Sequence, residues 1–177
     1  FTHATLIDEE RVQLFQKYKP GAPIEVSVYG MTQETYEAVS RLRGSYDAAF
    51  HGIDLLLKND IPFIVKSSFL PQNKKDVVIF EEWAATLPGM DNGPTYSLNF
   101  DLRTRRDSKE KNDRIQKLRT SPEESVNLLA RDEQDYIKAS QDFCAKFTRP
   151  PGDKLFACGA GHKSATIDAY GNVQVCL

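Results

Sequence analysis

Strand-like and helix-like segments alternate along most of the chain, and this order limits the folds that it can adopt. The predicted strands cover residues 22–29, 61–70 and 95–102, and the predicted helices cover 8–18, 46–59, 75–87 and a short segment over Tyr36, Val39 and Leu42. Short connections between them favour right-handed βαβ crossovers, and so a parallel α/β sheet, open or curled into part of a barrel. In either form, ligands bind at the carboxyl ends of the strands.

Burial of the second strand, one charged connection and two further helices complete the expected organisation. The run Ile61–Val65 is almost continuously apolar, which predicts a strand buried on both faces. Residues 103–114 are charged and irregular, and we interpret them as a solvated, mobile connection rather than a binding patch. Two more helices are predicted, over 121–131 and 132–147.

Composition excludes several classes of protein. The 177 residues are 40% hydrophobic, enough for one domain or slightly more, and a net charge of -2 with interspersed signs gives no field for nucleic acid or an anionic membrane. The sequence shows neither a membrane span nor a secretion signal, and its three cysteines suit a reducing compartment, so we expect a soluble cytoplasmic protein. The chain begins with Phe1, so we also expect a processed product or an excised fragment.

The tail carries the clearest chemistry. Cys158 and Cys176 flank two short apolar runs joined by Asp168–Gly171, which predicts a hairpin with both sulfurs near one end and with Asp168 accepting nearby backbone N–H groups. Thiolates suit iron–sulfur clusters, but two donors do not close a four-ligand site. The other ligands come either from elsewhere or from polypeptide beyond Leu177, and we favour the second. The alternative is a pair of ordinary thiols or a disulfide formed on isolation. Cys144 is expected to pack as a small apolar residue.

Several motifs, taken in order, resemble radical S-adenosylmethionine enzymes. The middle strands of that family are similar to Glu25-Val-Ser27-Val-Tyr-Gly30, Glu34-Thr-Tyr36, Arg43-Gly44-Ser45-Tyr46 and His51-Gly52-Ile53. Phe1–Ile7 looks like the preceding strand end, usually Thr-Asn-Gly-Thr-Leu-Ile, with His3 and Ala4 replacing Asn and Gly, and Leu70-Pro-Gln-Asn73 is similar to the turn after the following strand. Cys158, Gly171 and Cys176 match the opening signature of the C-terminal extension known as SPASM.

This resemblance implies a fold and an activity. Residues 1–120 would be the C-terminal half of a partial (βα) barrel of the radical S-adenosylmethionine type, 121–154 a helical linker, and 155–177 a truncated SPASM hairpin extension. The family's Cys-x-x-x-Cys-x-x-Cys cluster loop does not occur in this sequence. The chain alone is therefore expected to be inactive and to bind no cofactor. The full-length protein would reductively cleave S-adenosylmethionine, and a 5′-deoxyadenosyl radical would then modify a peptide or help to build a metal- or peptide-derived cofactor.

The resemblance also implies site residues. Thr2, Ser27, Arg43 and Asn73 would contact S-adenosylmethionine, and Cys158 and Cys176 would be the first two ligands of an auxiliary [4Fe–4S] cluster. Each of these roles has a structural alternative. Ser27 would then fill a layer of the barrel interior, and either Arg41 would take the place of Arg43 or both arginines would lie on the surface. Asn73 would cap the next helix, and for this residue we favour the cap.

The histidines and partners complete the predictions. His3 lies at a strand end facing the site, whereas His51 is structural and His162 belongs to a loop rather than to a metal site. The substrate would be a peptide or a small molecule, and unpaired strand edges of half a barrel would cause self-association. Two alternatives remain open. One is a non-catalytic α/β binding module that evolved from such an enzyme, and the other is an unrelated α/β domain whose cysteines bind zinc with a partner chain.

Overall fold

The computed structural model describes residues 1–99, 108–147, 165–168 and 170–175 of the chain, which divides into two compact units, Phe1–Leu129 and Ala130–Leu177. The first unit contains α1 (Glu9–Lys17), β1 (Ile24–Ser27), α2 (Gln33–Ser40), α3 (Ser45–Lys58), β2 (Phe63–Phe69), a 3₁₀ turn (Lys74–Asp76), α4 (Val77–Ala84), β3 (Thr95–Leu98), α5 (Lys109–Gln116) and α6 (Pro122–Leu129). The second unit contains α7 (Glu133–Phe147), β4 (Thr166–Ile167) and β5 (Val173–Gln174).

The first unit is built on a parallel sheet whose strands follow chain order. β2 lies between β1 and β3, and both pairings are parallel. Thr2 extends the sheet beyond β1, because it forms a parallel bridge with Val26. The predicted mixed α/β fold with a parallel sheet is therefore confirmed. β3 ends earlier than predicted, and residues 100–107 lie outside the described part of the chain.

One face of this sheet packs against helices. Val26 of β1 and Val65 of β2 are paired in register and almost fully buried, and they join Ile53 and Leu56 of α3 in the hydrophobic core. Exposure alternates along β2, so every second residue is only partly buried. The prediction that this strand is buried on both faces is wrong, because its second face carries Ile64, Lys66 and Ser68, which are only partly buried and of which two are polar.

The N-terminal segment is packed directly onto α3. A Cβ atom at Gly52 would lie 2.1 Å from the carbonyl oxygen of Ala4, so only glycine allows this approach. Ala4 itself has a left-handed backbone with φ 61° and is fully buried. This packing fixes the position of His3 beside the sheet.

Helix positions agree with the predictions better than buried faces do. α4 buries Phe80 and Ala84, whereas Val78 and Ile79, which are also apolar, are exposed. α5 lies within the charged segment predicted as a loop, and it begins where the Ser108 side chain accepts the N–H of Lys111 at 3.2 Å. N-capping of this kind stabilises a helix that has little apolar surface.

The second unit confirms the predicted hairpin turn. β4 and β5 pair antiparallel, and Gly171 has φ 85°. The Asp168 carboxylate accepts the backbone N–H groups of Tyr170 and Asn172, both at 2.9 Å. Hydrogen bonds, chiefly from the Asn172 side chain, lower the pKa of Asp168.

The cysteines give a mixed outcome. Cys144 lies exposed on α7, so the prediction that it packs as an apolar residue is wrong, because this part of the helix surface faces outward, as exposed Phe143 also shows. Cys158, His162 and Cys176 lie outside the described residues. Among the described residues, no helix is long and apolar enough to span a membrane.

Candidate functional site

The sheet face opposite the helices, here called the open face, is polar and partly exposed. Register and burial place on it a set of side chains from four neighbouring segments: Phe1, His3, Glu25, Ser27, Tyr29, Ile64, Lys66, Ser68, Thr95, Ser97 and Asn99. Parallel sheets usually have both faces covered and apolar. A polar face of this kind is therefore a candidate binding surface.

An ion pair lies near the middle of the open face. The Lys66 Nζ atom lies 2.7 Å from a carboxylate oxygen of Glu25 and 3.7 Å from the centroid of the Phe1 ring. Ser27 is the register partner of Lys66 on β1. Ser27 and Lys66 therefore lie side by side on this face, with the charge of Lys66 paired with Glu25.

A cleft of about 480 Å³ lies at the carboxyl ends of the strands. Its walls combine strand-end residues with side chains of α2, α3 and the loops around them: His3, Thr5, Tyr29, Tyr36, Val39, Ser40, Leu42, Ser45, Ser68, Leu70, Asn99 and Leu118. Its size is typical of small-molecule sites, and so is a mainly apolar wall with a few polar groups. The structure therefore has a cleft at the strand ends, where α/β sheets bind ligands.

Tyr29 and His3 are joined by a hydrogen bond at the edge of the cleft. The Tyr29 hydroxyl lies 2.7 Å from Nε2 of His3, and the ring centroids are 5.2 Å apart. Burial raises the pKa of Tyr29, so the phenol stays neutral near neutral pH. Tyr29 can donate to Nε2 when the imidazole carries its proton on Nδ1.

Tyr36 contributes a second phenol to the same wall. It is 1% exposed, and within the described residues no protein atom pairs with its hydroxyl. Burial, followed by the neighbouring Tyr29, raises the pKa of Tyr36 to about 12. A buried unpaired hydroxyl is costly, so an oxygen atom of a ligand or water beside Tyr36 would be stabilised.

Asn73 joins the ends of β1 and β2. Its Nδ2 donates to the carbonyl oxygens of Tyr29 at 2.8 Å and Ser68 at 2.9 Å, and its Oδ1 accepts the N–H of Leu70 at 3.0 Å. The expectation that it caps the next helix is wrong, because its side chain makes no cap bond to the 3₁₀ turn that follows. With both amide protons donated to backbone and only 5% exposure, Asn73 supports the cleft from behind.

Thr2 and Ser27, both predicted cofactor contacts, are neighbours in the structure. The Ser27 N–H donates to the Thr2 carbonyl at 2.8 Å, and the Thr2 hydroxyl accepts the Ala4 N–H at 3.1 Å. A pocket of about 340 Å³ is lined by both residues together with Phe1, His3, Thr5 and Leu6. His3 and Thr5 also line the cleft, so the two spaces adjoin at these residues.

Arg43, the predicted arginine contact, does not line the pocket formed by Thr2 and Ser27. Arg43 is exposed in the connection between α2 and α3, next to Leu42, which lines the cleft. Arg41 ends α2 with φ 57°, and its N–H donates to the Glu37 carbonyl. His51 is exposed on α3, and no role in the cleft is seen for it.

Two important residues have no role in the sequence predictions. Lys66 was simply part of a predicted strand. Asp76 is 5% exposed, and it accepts the Met31 N–H at 2.7 Å and a short hydrogen bond from the Thr35 hydroxyl. Asp76 thereby attaches the 3₁₀ turn to the start of α2, one wall of the cleft.

Metal ligands are not found in the described part of the chain, where no group of three or more His, Cys, Asp or Glu side chains could hold an ion. The predicted ligands Cys158 and Cys176 fall outside that part. No protein-family model, curated protein or solved structure matches this chain. Functional inference therefore depends on the geometry and the sequence motifs.

Proposed function

We propose that this chain is part of a radical S-adenosylmethionine enzyme with a SPASM extension, and that its open face is the inner wall of a partial (βα) barrel. The observation that carries the proposal is the polar open face of a sheet whose parallel strands follow chain order. The cleft at the carboxyl ends of those strands is where barrel enzymes hold their reactants.

The strand order supports a barrel over a doubly wound sheet. Doubly wound sheets reverse their strand order at a switch point, where the ligand binds. Barrels add each new strand on the same side of the last. Thr2, β1, β2 and β3 advance in one direction without a reversal.

Residues near Ser27 fit part of S-adenosylmethionine. The cofactor carries hydroxyl and carboxylate groups, and Ser27 offers a hydroxyl on the open face, on the strand beside Lys66. Thr2 and His3 line the adjoining pocket. Ser27 and Thr2 would hold the cofactor, Arg43 would act from the rim, and Asn73 would keep the strand ends together. When bound, the cofactor would supply the radical chemistry.

The tail would complete the enzyme in the whole protein. Cys158 and Cys176 would bind an auxiliary [4Fe–4S] cluster, because thiolates are the usual ligands of such clusters. A peptide or small molecule would enter from the cleft side. The finding that favours the hairpin part of this proposal is the ordered Asp168 turn between the two cysteines.

Metal analysis of the natural gene product, purified without oxygen, tests the proposal. We expect iron and acid-labile sulfide in the unaltered protein, and a lower content of both in Cys158→Ser and Cys176→Ser. Cys144→Ser is the matched control, because Cys144 lies exposed on α7 and should leave the iron content unchanged. Zinc without sulfide would instead identify an unrelated zinc-binding domain. A metal-free protein would favour a non-catalytic binding module.

A further inference from the structure

Two neighbouring tyrosines on the cleft wall differ in one respect that matters for redox chemistry. Tyr29 has a base within hydrogen-bond distance, since Nε2 of His3 lies 2.7 Å from its hydroxyl. Tyr36, whose ring centroid lies 5.7 Å from that of Tyr29, has a buried hydroxyl with no partner among the described residues. Both side chains line the same cleft.

Losing one electron makes a phenol hydroxyl strongly acidic. A tyrosine is therefore oxidised readily where a base accepts its proton in the same step, and poorly where the proton has no acceptor. Neutral imidazole is a suitable acceptor, because its unperturbed pKa is about 6.5. The cleft thus contains one tyrosine with a proton acceptor beside another without one.

We infer that Tyr29 and His3 form a redox pair that exchanges one electron with a radical-type oxidant in the cleft. Tyr29 gives the electron to the oxidant, and its hydroxyl proton moves to Nε2 of His3. The products are a neutral tyrosyl radical, an imidazolium and the oxidant reduced by one electron. Return of one electron from a reductant brings the proton back from His3 to Tyr29.

Aromatic rings form a row beside Tyr29, and among the described residues the tyrosines of this row lack the proton acceptor that Tyr29 has. Ring centroids are 5.9 Å apart for Tyr36 and Tyr46, 4.6 Å for Tyr46 and Phe50, and 5.4 Å for Phe50 and Trp83. The Tyr46 hydroxyl donates to the Met31 carbonyl at 3.3 Å, and a carbonyl is too weak a base to take a proton. Among these three tyrosines, the neutral radical is therefore stabilised at Tyr29.

Use of the pair in catalysis rests on the proposed function, in which the oxidant would be a substrate-derived carbon radical in the cleft. This radical would take up the electron of Tyr29 and the proton held on His3, so that a C–H bond forms and the tyrosyl radical remains. The electron transfer between the pair and an oxidant requires no cluster. It can therefore be measured on the isolated chain with an artificial oxidant. The result of that measurement is independent of the metal analysis, so either proposal can fail while the other stands.

Flash photolysis of the 177-residue chain tests the pair, with tris(bipyridine)ruthenium(II) as sensitiser and hexaammineruthenium(III) as quencher. We expect a fast phase of tyrosyl absorption that disappears in Tyr29→Phe and slows by about tenfold or more in His3→Gln. Tyr36→Phe should keep this phase. Tyr170→Phe is the exposed control and should keep it as well, because Tyr170 is 90% exposed.

Solvent exchange gives a second measurement that needs no variant. Since the proton moves with the electron, the fast phase of the unaltered chain should be slower in D₂O than in H₂O. A fast phase that survives Tyr29→Phe, or that keeps its rate in His3→Gln, would overturn the inference. So would equal rates in the two solvents, even if both variants failed to fold.

Discussion

Tyr36 shows how a single buried hydroxyl makes stability depend on pH. Its pKa is raised from 10.0 to about 12, so the unfolded chain loses this proton at a lower pH than the folded chain does. Its contribution to stability is complete below pH 10 and is lost as pH rises toward 12. A raised pKa of this size corresponds to at most about 2.7 kcal/mol.

The variant Tyr36→Phe should remove most of this alkaline loss. We expect its free energy of unfolding to fall less than that of the unaltered chain between about pH 8 and about pH 11. Urea unfolding at the two pH values measures the difference. Tyr170→Phe, at a 90% exposed position, should behave like the unaltered chain. If Tyr36→Phe lost as much stability between these two pH values as the unaltered chain does, Tyr36 would not be the source of the alkaline loss.

Asp76, unlike Tyr36, is buried together with its hydrogen-bond partners, so its carboxylate stabilises the fold. Asp76→Ala would leave the Met31 N–H and the Thr35 hydroxyl without this acceptor. We expect a loss of about 2–4 kcal/mol in the free energy of unfolding. Chemical denaturation measures it, with Asp91→Ala as the exposed control. A loss for Asp76→Ala no larger than that of the control would show that this network adds little.

Sequence distance explains which residue roles could be predicted. The bonds of Asp168 to Tyr170 and Asn172 are local, so turn chemistry alone predicts them. Asn73 and Asp76 bond to Tyr29 and Met31 across the fold. No local pattern contains that information, and it appears only once β1 and β2 are paired.

Among the contacts between elements, the packing of the N-terminal segment on α3 is especially close. In Gly52→Ala the new methyl group would lie 2.1 Å from the Ala4 carbonyl oxygen, and backbone cannot move aside as a flexible side chain can. We expect a loss of about 2–3 kcal/mol in the free energy of unfolding, together with a displaced His3.

Thermal or urea unfolding of Gly52→Ala checks this expectation. Gly21→Ala is the matched control, because a Cβ there meets nothing within 4 Å. The control should change stability by no more than about 0.5 kcal/mol. Equal stability of the two variants would show that the segment is not held against α3 as described.

Hydrophobic periodicity predicted where the helices and strands lie better than it predicted which of their residues are buried. α1, α3 and β1 were found where the pattern placed them, because each combines an apolar stripe with clear end signals. The pattern does not show which side of α4 is buried, since apolar residues lie both in the core, at Phe80 and Ala84, and on the surface, at Val78 and Ile79. α5 was missed because its start depends on a cap at Ser108 rather than on apolar residues.

For the whole molecule, we expect association to depend on the edges of the parallel sheet. β3 and the Thr2 segment are the outermost members of the sheet among the described residues. Unpaired strand edges promote association. We therefore expect the chain to self-associate as its concentration rises, which sedimentation velocity measures. Ser97→Lys would place a charge on the exposed β3 edge strand and should weaken association. A strictly monomeric chain at high concentration would contradict this expectation.

The sequence predicted the class of fold and the edge of the sheet where the cleft lies, because strand–helix alternation determines both. The motifs that resemble the radical enzymes also single out Thr2 and Ser27, which line one pocket in the structure; their role as cofactor contacts stays a prediction. It could not predict the Tyr29–His3 bond or the Lys66–Glu25 pair, since these depend on strand register. Strand register is set by the apolar residues on the packed face of the sheet, and this register then determines which polar residues of the open face become neighbours.

The most direct test of the central proposal is cofactor binding at the open face. Equilibrium dialysis of labelled S-adenosylmethionine against the natural gene product, prepared without oxygen, should show saturable binding. Ser27→Ala should weaken it by about tenfold, whereas Ser97→Ala, on the same face but on β3, should not. Absence of binding in an iron-loaded protein, or equal affinity of the unaltered protein and Ser27→Ala, would contradict the proposal that this face holds the cofactor.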